Sequence, residues 1–293
     1  MKILVIKHGA FGDIVLAFPA FAAIRAAHEG ADITLLTTRP YAGLLGKSLW
    51  FDRVELDAKP EAWNLPGLLR LRRQLRGFDL VYDLQTSGRS SRYFALAGKP
   101  EWSGIAKGCS LPDRDPDRSH IHTRERLEGQ LRDAGIAALP VPDLSWLAGD
   151  ISSFGLPPEY AVLVPGASPH RPEKRFPAEK FREVAAGLNL PVVVVGTAGE
   201  RDIARIIGGV DLSGRTDFFQ LASVLRGAKL AIGNDTGPMH LAAALGVHCI
   251  SLFSAASDPA RTAPRYPDGG WPTILRAPNL QDLPVAQVLA ALP

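Results

Sequence analysis

Residues 2–38 read KILVIKHGAFGDIVLAFPAFAAIRAAHEGADITLLTT, and this stretch decides the fold. The short apolar run at 2–7 is typical of a buried strand. The residues from Gly12 to His28 predict a helix, and a second apolar run follows at 32–38. A strand, a helix and a strand in this order form the βαβ unit of a parallel sheet.

The same alternation continues along the chain. A basic helix around 66–76 and a strand at 78–84 come before a proline-rich stretch from Leu139 to Pro158, after which the alternation restarts. The later pattern predicts strands at 160–165, 191–196, 229–233 and 247–253 and helices from about 177, from about 200, near 217–226 and at 280–292. The predicted fold class is therefore α/β, with two Rossmann-like, doubly wound parallel-sheet domains facing a central cleft. We expect these domains to span residues 1–150 and 151–293.

Composition narrows the function. The chain has 293 residues and a net charge of +3, a mild basic excess that suits an anionic ligand and is not typical of nucleic-acid binding. Its apolar runs fall short of the roughly 20 residues needed to span a bilayer. The two cysteines, Cys109 and Cys249, fit neither a disulfide framework nor a metal site. We therefore expect a cytoplasmic protein that binds no nucleic acid and no metal.

Residues 232–246, IGNDTGPMHLAAALG, carry the clearest chemical pattern. A strand ends at the first glycine, and Asp235 or Thr236 is placed to cap the helix that follows. The N–H groups of that helix's first turn would form an anion site, with His240 close enough to contact a phosphate. An ordinary capped helix is the alternative. The glycines on both sides of Asn-Asp-Thr favour a bound ligand, because glycine lets the backbone approach one closely.

Three further groups follow predicted strands. Asp13 opens a helix after the first strand, as a helix cap or as a general base aimed into the cleft. Lys174, after the strand at 160–165, is a surface cation or a partner for phosphate. Glu200, after the strand at 191–196, is an exposed first-turn residue or an acceptor for ribose hydroxyls. A nucleotide diphosphate in the second domain, facing an acid in the first, fits these loops together.

Several ordered motifs extend this interpretation over nearly the whole chain. They are GD-I-V-x-x-x-P-A at 12–20, DLQ at 83–85, PGAS at 165–168, KRFP at 174–177, GNDTGPMH at 233–240 and DPART at 258–262. In their order and spacing they resemble glycosyltransferase family 9, the ADP-heptose:lipopolysaccharide heptosyltransferases. Phe176 stands where many members have tryptophan.

The resemblance implies a GT-B architecture, with the acceptor held by the first domain and the donor by the second. It implies an inverting transfer of heptose from ADP-L-glycero-β-D-manno-heptose to a phosphorylated glycolipid, the lipopolysaccharide inner core, without a metal or cofactor. Asp13 would be the base, and Lys174 with the helix N-terminus at 235–240 would stabilise the leaving ADP. The donor-binding positions that the resemblance implies are Gly12, Ser168, Glu200, Thr216, Asp235, Thr236, Gly237 and His240.

The acceptor side rests on fewer residues. Gln85, Arg89 and Arg92 follow a first-domain strand and are expected to bind the acceptor. The basic helix at 70–76 is either a solvated face or a peripheral contact with anionic lipids of the inner membrane. Three other functions stay open: transfer from another nucleotide sugar, transfer to a protein, and nucleotide-sugar binding without catalysis.

Overall fold

The computed structural model describes residues 1–137, 139–167 and 171–293. Within these ranges the chain divides into two units, Met1–Trp146 and Leu147–Pro293. The chain passes from one to the other inside the predicted proline-rich stretch, a few residues before the predicted boundary at 150.

The first unit is built on a parallel sheet. Its strands in the described residues are β1 (Lys2–Ile6), β2 (Asp32–Thr37), β3 (Arg53–Leu56), β4 (Leu80–Asp83), β5 (Glu101–Gly104) and β6 (Leu111–Pro112). They lie in the order β3-β2-β1-β4-β5-β6, and each neighbouring pair is parallel. This is the strand order of a dinucleotide-binding Rossmann sheet.

Helices connect these strands. They are α1 (Phe11–Leu16), α2 (Phe18–Ala27), α3 (Arg39–Leu45), α4 (Leu65–Gln74), α5 (Gly88–Ala97) and α6 (Thr123–Asp133). The single helix predicted from Gly12 to His28 is wrong, because the chain forms two helices that meet at Ala17. Pro19 has no N–H to donate to the carbonyl of Val15, four residues earlier, so a continuous ladder is not available there.

The second unit repeats the design. Its strands in the described residues are β7 (Ala161–Val164), β8 (Val192–Val194), β9 (Val210–Asp211), β10 (Leu230–Asn234), β11 (Cys249–Phe253) and β12 (Thr273–Arg276). They lie in the order β12-β11-β10-β7-β8-β9, again with parallel neighbours. Starting from β9, this is the same Rossmann order, so the prediction of two doubly wound parallel sheets is confirmed.

The helices of the second unit are α7 (Ala178–Gly187), α8 (Arg201–Ile207), α9 (Phe218–Gly227), α10 (Gly237–Ala244), α11 (Pro259–Thr262) and α12 (Val285–Ala290). Short 3-10 helices lie at Ser152–Phe154, Pro172–Lys174, Ala198–Glu200 and Leu280–Asp282. The last of them corrects the continuous helix predicted at 280–292. Pro284 lacks an N–H, so the chain forms one 3-10 turn before it and starts α12 after it.

Each sheet is buried between its helices. In the first unit Leu4, Ile6 and Val81 of the central strands pack with Trp102 and with Leu71 of α4. In the second unit Leu163 and Ile232 pack with Phe181 of α7 and with Phe176. None of the helices in the described ranges is long and apolar enough to cross a bilayer.

Candidate functional site

The strand order of each sheet reverses at one place, between β1 and β4 in the first unit and between β7 and β10 in the second. Doubly wound sheets bind ligands outside the carboxyl ends of the strands at this reversal, where the loops leave a crevice. The loops after β1, β4, β7 and β10 carry most of the residues that the sequence singles out.

A cluster of charged side chains lies at the carboxyl end of β10. Asp235 Oδ2 is 3.1 Å from Lys174 Nζ and accepts a hydrogen bond of 2.7 Å from Ser257 Oγ. Its other oxygen, Oδ1, is 3.7 Å from His240 Nε2. Sixty-one residues separate Lys174 from Asp235 along the chain, so the fold assembles this cluster from three loops. The structure therefore brings together the lysine, the acid and the histidine that the sequence predicts.

The environment of Asp235 keeps its carboxylate ionised. Burial raises the pKa of this carboxyl, but the contacts with His240 and Ser257 and the charge of Lys174 outweigh burial and lower the pKa to about 2. His240 is buried, and its Nδ1 has no hydrogen-bond partner among the described residues. Buried polar atoms are normally paired, so this nitrogen is available to a ligand.

Asn234 fixes the geometry of this cluster and was missed by the sequence analysis. Its buried side chain donates from Nδ2 to the carbonyl of Pro165 at 2.8 Å and accepts at Oδ1 from the N–H of Phe176 at 3.1 Å. These two bonds connect β10 to the loop after β7 and to the segment that carries Lys174. The sequence does show an asparagine between a strand and an acid. Its role could not be predicted from that position, because its hydrogen-bond partners are far away in sequence.

The start of α10 differs from the prediction. Neither Asp235 nor Thr236 caps the helix with its side chain: the Asp235 carboxylate is occupied by the cluster, and Thr236 Oγ1 donates to the carbonyl of Asn234 at 3.2 Å. The N–H groups of Met239 and His240 donate to the Thr236 carbonyl. Pro238 has no N–H, so in the described structure Gly237 keeps the free amide of the first turn.

Gly233 has a structural reason that the sequence analysis did not weigh. It lies inside β10, where an added Cβ would be 2.5 Å from Val164 Cβ and 2.9 Å from Met239 Sδ. The strand therefore needs glycine here to pack against β7 and α10. Packing therefore accounts for this glycine without a bound ligand.

The remaining donor-side candidates lie on neighbouring loops. Glu200 is buried rather than exposed, and its Oε2 accepts a hydrogen bond of 2.6 Å from the N–H of Thr197. It lies beside the loop after β7, since a Cβ on Gly166 would be 3.4 Å from Glu200 Cδ. Thr216 is half-buried in the loop before α9. Ser168 lies outside the described residues.

In the first unit, Asp13 occupies the third position of α1. Its Oδ2 accepts a hydrogen bond of 3.1 Å from the N–H of Ala10, the residue that precedes the helix. Gly12 is buried beside it in the same helix. Lys7, the residue after β1, is buried and donates to the carbonyl of Leu84 at 3.3 Å. Burial lowers the pKa of Lys7 while the charge of Asp13 opposes this, so the two groups lie within electrostatic reach.

A buried pair supports the loop between β1 and α1. His8 Nε2 lies 2.9 Å from Asp57 Oδ2, and Tyr93 Oη donates to the same oxygen at 2.8 Å. The backbone N–H of His8 donates to Gln85 Oε1 at 2.8 Å. These contacts hold in place the loop that precedes Asp13. Nothing local in the sequence marks His8 and Asp57, because their partners come from other elements.

The three predicted acceptor residues divide into two places. Gln85 lies in the loop after β4 and is bound to His8. Arg89 and Arg92 of α5 line a cavity of about 520 Å³ whose other walls include Leu68, Leu71 and Arg72 of α4. Arg89 also donates to the carbonyl of Pro60 at 3.2 Å. The structure thus brings the two arginines together with a third, Arg72, that the sequence analysis had assigned only to a basic helix.

Among the described residues, no group of three or more His, Cys, Asp or Glu side chains is arranged to hold a metal ion. The absence of a metal or cofactor therefore stays a prediction, as does each ligand role assigned to the residues above.

The chain resembles known proteins along most of its length. The model of glycosyltransferase family 9 (heptosyltransferase) matches residues 143–272. Lipopolysaccharide heptosyltransferase 1 of Pseudomonas aeruginosa is 26% identical in an alignment of 291 positions that covers 86% of this chain and 78% of that protein. A glycosyltransferase family 9 structure from Veillonella parvula has a TM-score of 0.82 at 21% identity and covers 99% of this chain and 95% of its own.

A second solved structure, E. coli heptosyltransferase WaaC with ADP-2-deoxy-2-fluoro heptose, has a TM-score of 0.76 at 23% identity over 98% of each chain. Two Rossmann-like units of this kind and the likeness to these structures define a GT-B architecture. The chain is a glycosyltransferase, similar to family 9 over residues 143–272 and to lipopolysaccharide heptosyltransferases over most of its length.

Proposed function

We propose that the chain transfers heptose from ADP-L-glycero-β-D-manno-heptose to an inner-core acceptor of lipopolysaccharide, with inversion at the anomeric carbon. The observation that carries this proposal is the cluster of Lys174, Asp235 and His240 at the reversal of the second sheet, inside the range that the family matches. It is supported by the name of the Pseudomonas aeruginosa relative and by the ADP-sugar analogue in the E. coli structure.

The roles proposed for the donor-side residues follow from the negative charge that develops on the leaving ADP. As the bond from the anomeric carbon to the phosphate oxygen breaks, the electron pair and a full negative charge pass to ADP. In this proposal Lys174, the free N–H of Gly237 and the positive end of α10 would stabilise that charge. Asp235 keeps the Lys174 ammonium in position, and His240 offers its unpaired Nδ1 to the pyrophosphate or the sugar. Glu200 would accept hydrogen bonds from the ribose, with Gly12, Thr216, Thr236 and Ser168 as further donor positions.

On the acceptor side, we assign the base to Asp13. An inverting displacement needs a group that takes the proton of the acceptor hydroxyl while its oxygen attacks the anomeric carbon from the face opposite ADP. The Asp13 carboxylate has one oxygen bound to the N–H of Ala10 and the buried side chain of Lys7 within electrostatic reach. Arg89 and Arg92 would bind the phosphate groups of the acceptor. Gln85 would position the loop that precedes Asp13.

Donor choice tests the activity. The purified chain is supplied with a defined inner-core acceptor and, in parallel reactions, with ADP-heptose and with UDP-, GDP- and dTDP-sugars. We expect transfer from ADP-heptose alone, without added metal. Transfer from another nucleotide sugar, transfer only to a protein acceptor, or donor binding without turnover would each contradict the proposal.

Asp13→Asn tests the mechanism. Asparagine retains an oxygen for the N–H of Ala10, so the melting temperature and the affinity for ADP should stay close to those of the wild type. Asparagine does not take up a proton, so we expect turnover to fall at least roughly a hundredfold. A folded Asp13→Asn variant with near wild-type turnover would show that the acid only supports the helix.

A further inference from the structure

Three large apolar side chains are exposed to solvent on one short segment of the first unit. Trp63, Leu65 and Leu69 are 82%, 66% and 56% exposed. Single exposed apolar residues are ordinary on a protein surface, but a group of them marks a surface that binds something apolar. Leu65 and Leu69 are four residues apart in α4 and so lie on the same side of the helix.

The core of the unit does not use this side of α4. Leu71 of α4 and Leu75, which follows its last residue, are buried in the core, and Leu68 lies on the same side as both. The buried face therefore anchors α4 to the core by itself. The exposed apolar residues on the other side are not needed to hold the helix in place.

The second half of the segment is strongly basic. Arg70, Arg72, Arg73 and Arg76 are all exposed. None of them is among the residues that form ion pairs in the described part of the chain. Arg73 lies one turn beyond Leu69, so the same exposed face passes from apolar to cationic along the helix axis.

We propose that this face of α4, defined by Trp63, Leu65, Leu69, Arg70 and Arg73, docks on the surface of an anionic phospholipid bilayer. The tryptophan and the leucines enter the boundary between headgroups and acyl chains, where an indole ring is especially stable. The arginines contact the lipid phosphates from above.

The positive charge of this face favours an anionic bilayer over a second copy of the chain as its binding partner. Two copies meeting through this face would bring two arginines from each copy together, against one exposed acid each, Glu61. The remaining like charge opposes association at close range. A bilayer offers a layer of negative charge above an apolar layer, which matches the two halves of the helix.

The functional reason for membrane docking rests on the proposed function. The cavity lined by Arg72, Arg89 and Arg92 adjoins α4, so a docked α4 would keep the acceptor cavity next to the membrane that holds a glycolipid. Docking itself needs neither donor nor acceptor, so the two proposals fail independently.

Sedimentation with vesicles tests the docking. The full chain is mixed with vesicles of phosphatidylglycerol and phosphatidylethanolamine, or of phosphatidylcholine alone, without any glycolipid. We expect binding to the anionic vesicles that weakens as salt is raised from about 0.05 to about 0.5 M. The triple variant Trp63→Ser, Leu65→Ser, Leu69→Ser and the double variant Arg70→Gln, Arg73→Gln should each partition at least about tenfold more weakly. Val141→Ser, at another exposed apolar residue of this unit, should bind like the wild type.

Fluorescence locates the contact. Lipids brominated on the acyl chain should quench part of the tryptophan emission of the wild type and of Trp271→Phe, a matched change in the second unit. Trp63→Phe should lose that quenched part. Unchanged binding by the triple variant at an unchanged melting temperature, quenching that persists in Trp63→Phe, or equal binding to neutral vesicles would overturn the proposal. A wild-type dimer in sedimentation equilibrium that the triple variant breaks would instead make this face an interface between copies.

Discussion

Asp83 in the first unit and Asp235 in the second occupy nearly the same place in the same fold. Asp83 is the last residue of β4, and Asp235 follows the last residue of β10, the strands that border the two reversals of strand order. The two carboxyl groups nevertheless titrate in opposite directions. The pKa of Asp83 is raised to about 6, and that of Asp235 is lowered to about 2.

Their partners explain the difference. Burial dominates at Asp83, where Oδ1 accepts from the N–H groups of Gln85 and Thr86 at 3.2 and 3.0 Å, and the nearby charge of His8 compensates only in part. Asp235 is mostly but not fully buried, and it has Lys174 at 3.1 Å, together with Ser257 and His240. Equivalent positions thus serve two purposes: Asp83 shapes a turn, and Asp235 places a cation.

Lys174→Ala gives the largest effect and tests the purpose assigned to the second unit. Removing a cation that acts on the leaving group should lower turnover at saturating donor by roughly one to three orders of magnitude. Lys229→Ala is the matched control, because Lys229 pairs with Glu159 on the surface of the same unit at 2.9 Å. If the two variants turn over equally fast, Lys174 is a structural cation and the contrast with Asp83 loses its functional meaning.

Asp83→Asn tests the first unit. Because the folded-state pKa of Asp83, about 6, lies above its unfolded value, the stability that its protonated form contributes is complete below about pH 4 and is lost as pH rises through 6. That loss corresponds to about 3 kcal/mol at most. Asparagine still accepts from the N–H groups of Gln85 and Thr86, so the variant should be more stable than the wild type at pH 7.5. Denaturant unfolding at pH 4 and pH 7.5 measures this, and an identical pH dependence in both proteins would contradict it.

Asp235→Asn has the opposite sign and a smaller effect. The folded-state pKa of Asp235 is about 2, so the stability gained from its carboxylate is complete above pH 4 and is lost as pH falls toward 2. The loss amounts to about 2 kcal/mol. Melting temperatures between pH 5 and pH 2.5 should fall less steeply in the asparagine variant than in the wild type. A variant that melts in parallel with the wild type across this range would mean that Asp235 is not the responsible group.

The sequence predicted the central parts of both sheets and less of their edges. Central strands such as β1 and β7 are short apolar runs, and a parallel strand buried on both faces needs such residues. The edge strands β3, with the sequence RVEL, and β6, with LP, have no comparable pattern. Local sequence also did not reveal how Pro19 and Pro284 interrupt helices, because the apolar periodicity continues across both.

For the candidate site, the sequence identified charged residues but not their supports. Lys174 and Asp235 follow predicted strands and His240 lies in the predicted helix after Asp235, and the structure places the three together. Asn234 and Ser257 were missed, because their roles depend on contacts between distant segments: Asn234 bonds to Pro165, 69 residues away. The same holds for His8, whose partner Asp57 comes from the end of β3. A single sequence without tertiary contacts does not contain these pairings.

The passage of the chain between the units has a consequence for how such enzymes diversify. Trp146, the last residue of the first unit, packs against Phe18 and Trp50, with ring centroids 6.2 and 5.4 Å away. Leu147, the first residue of the second, accepts a hydrogen bond of 2.9 Å from Arg226. A recombination event at this peptide bond would leave each unit with its own anchor and its own complete sheet. A gene could therefore exchange one half as a cassette while it inherits the other half unchanged.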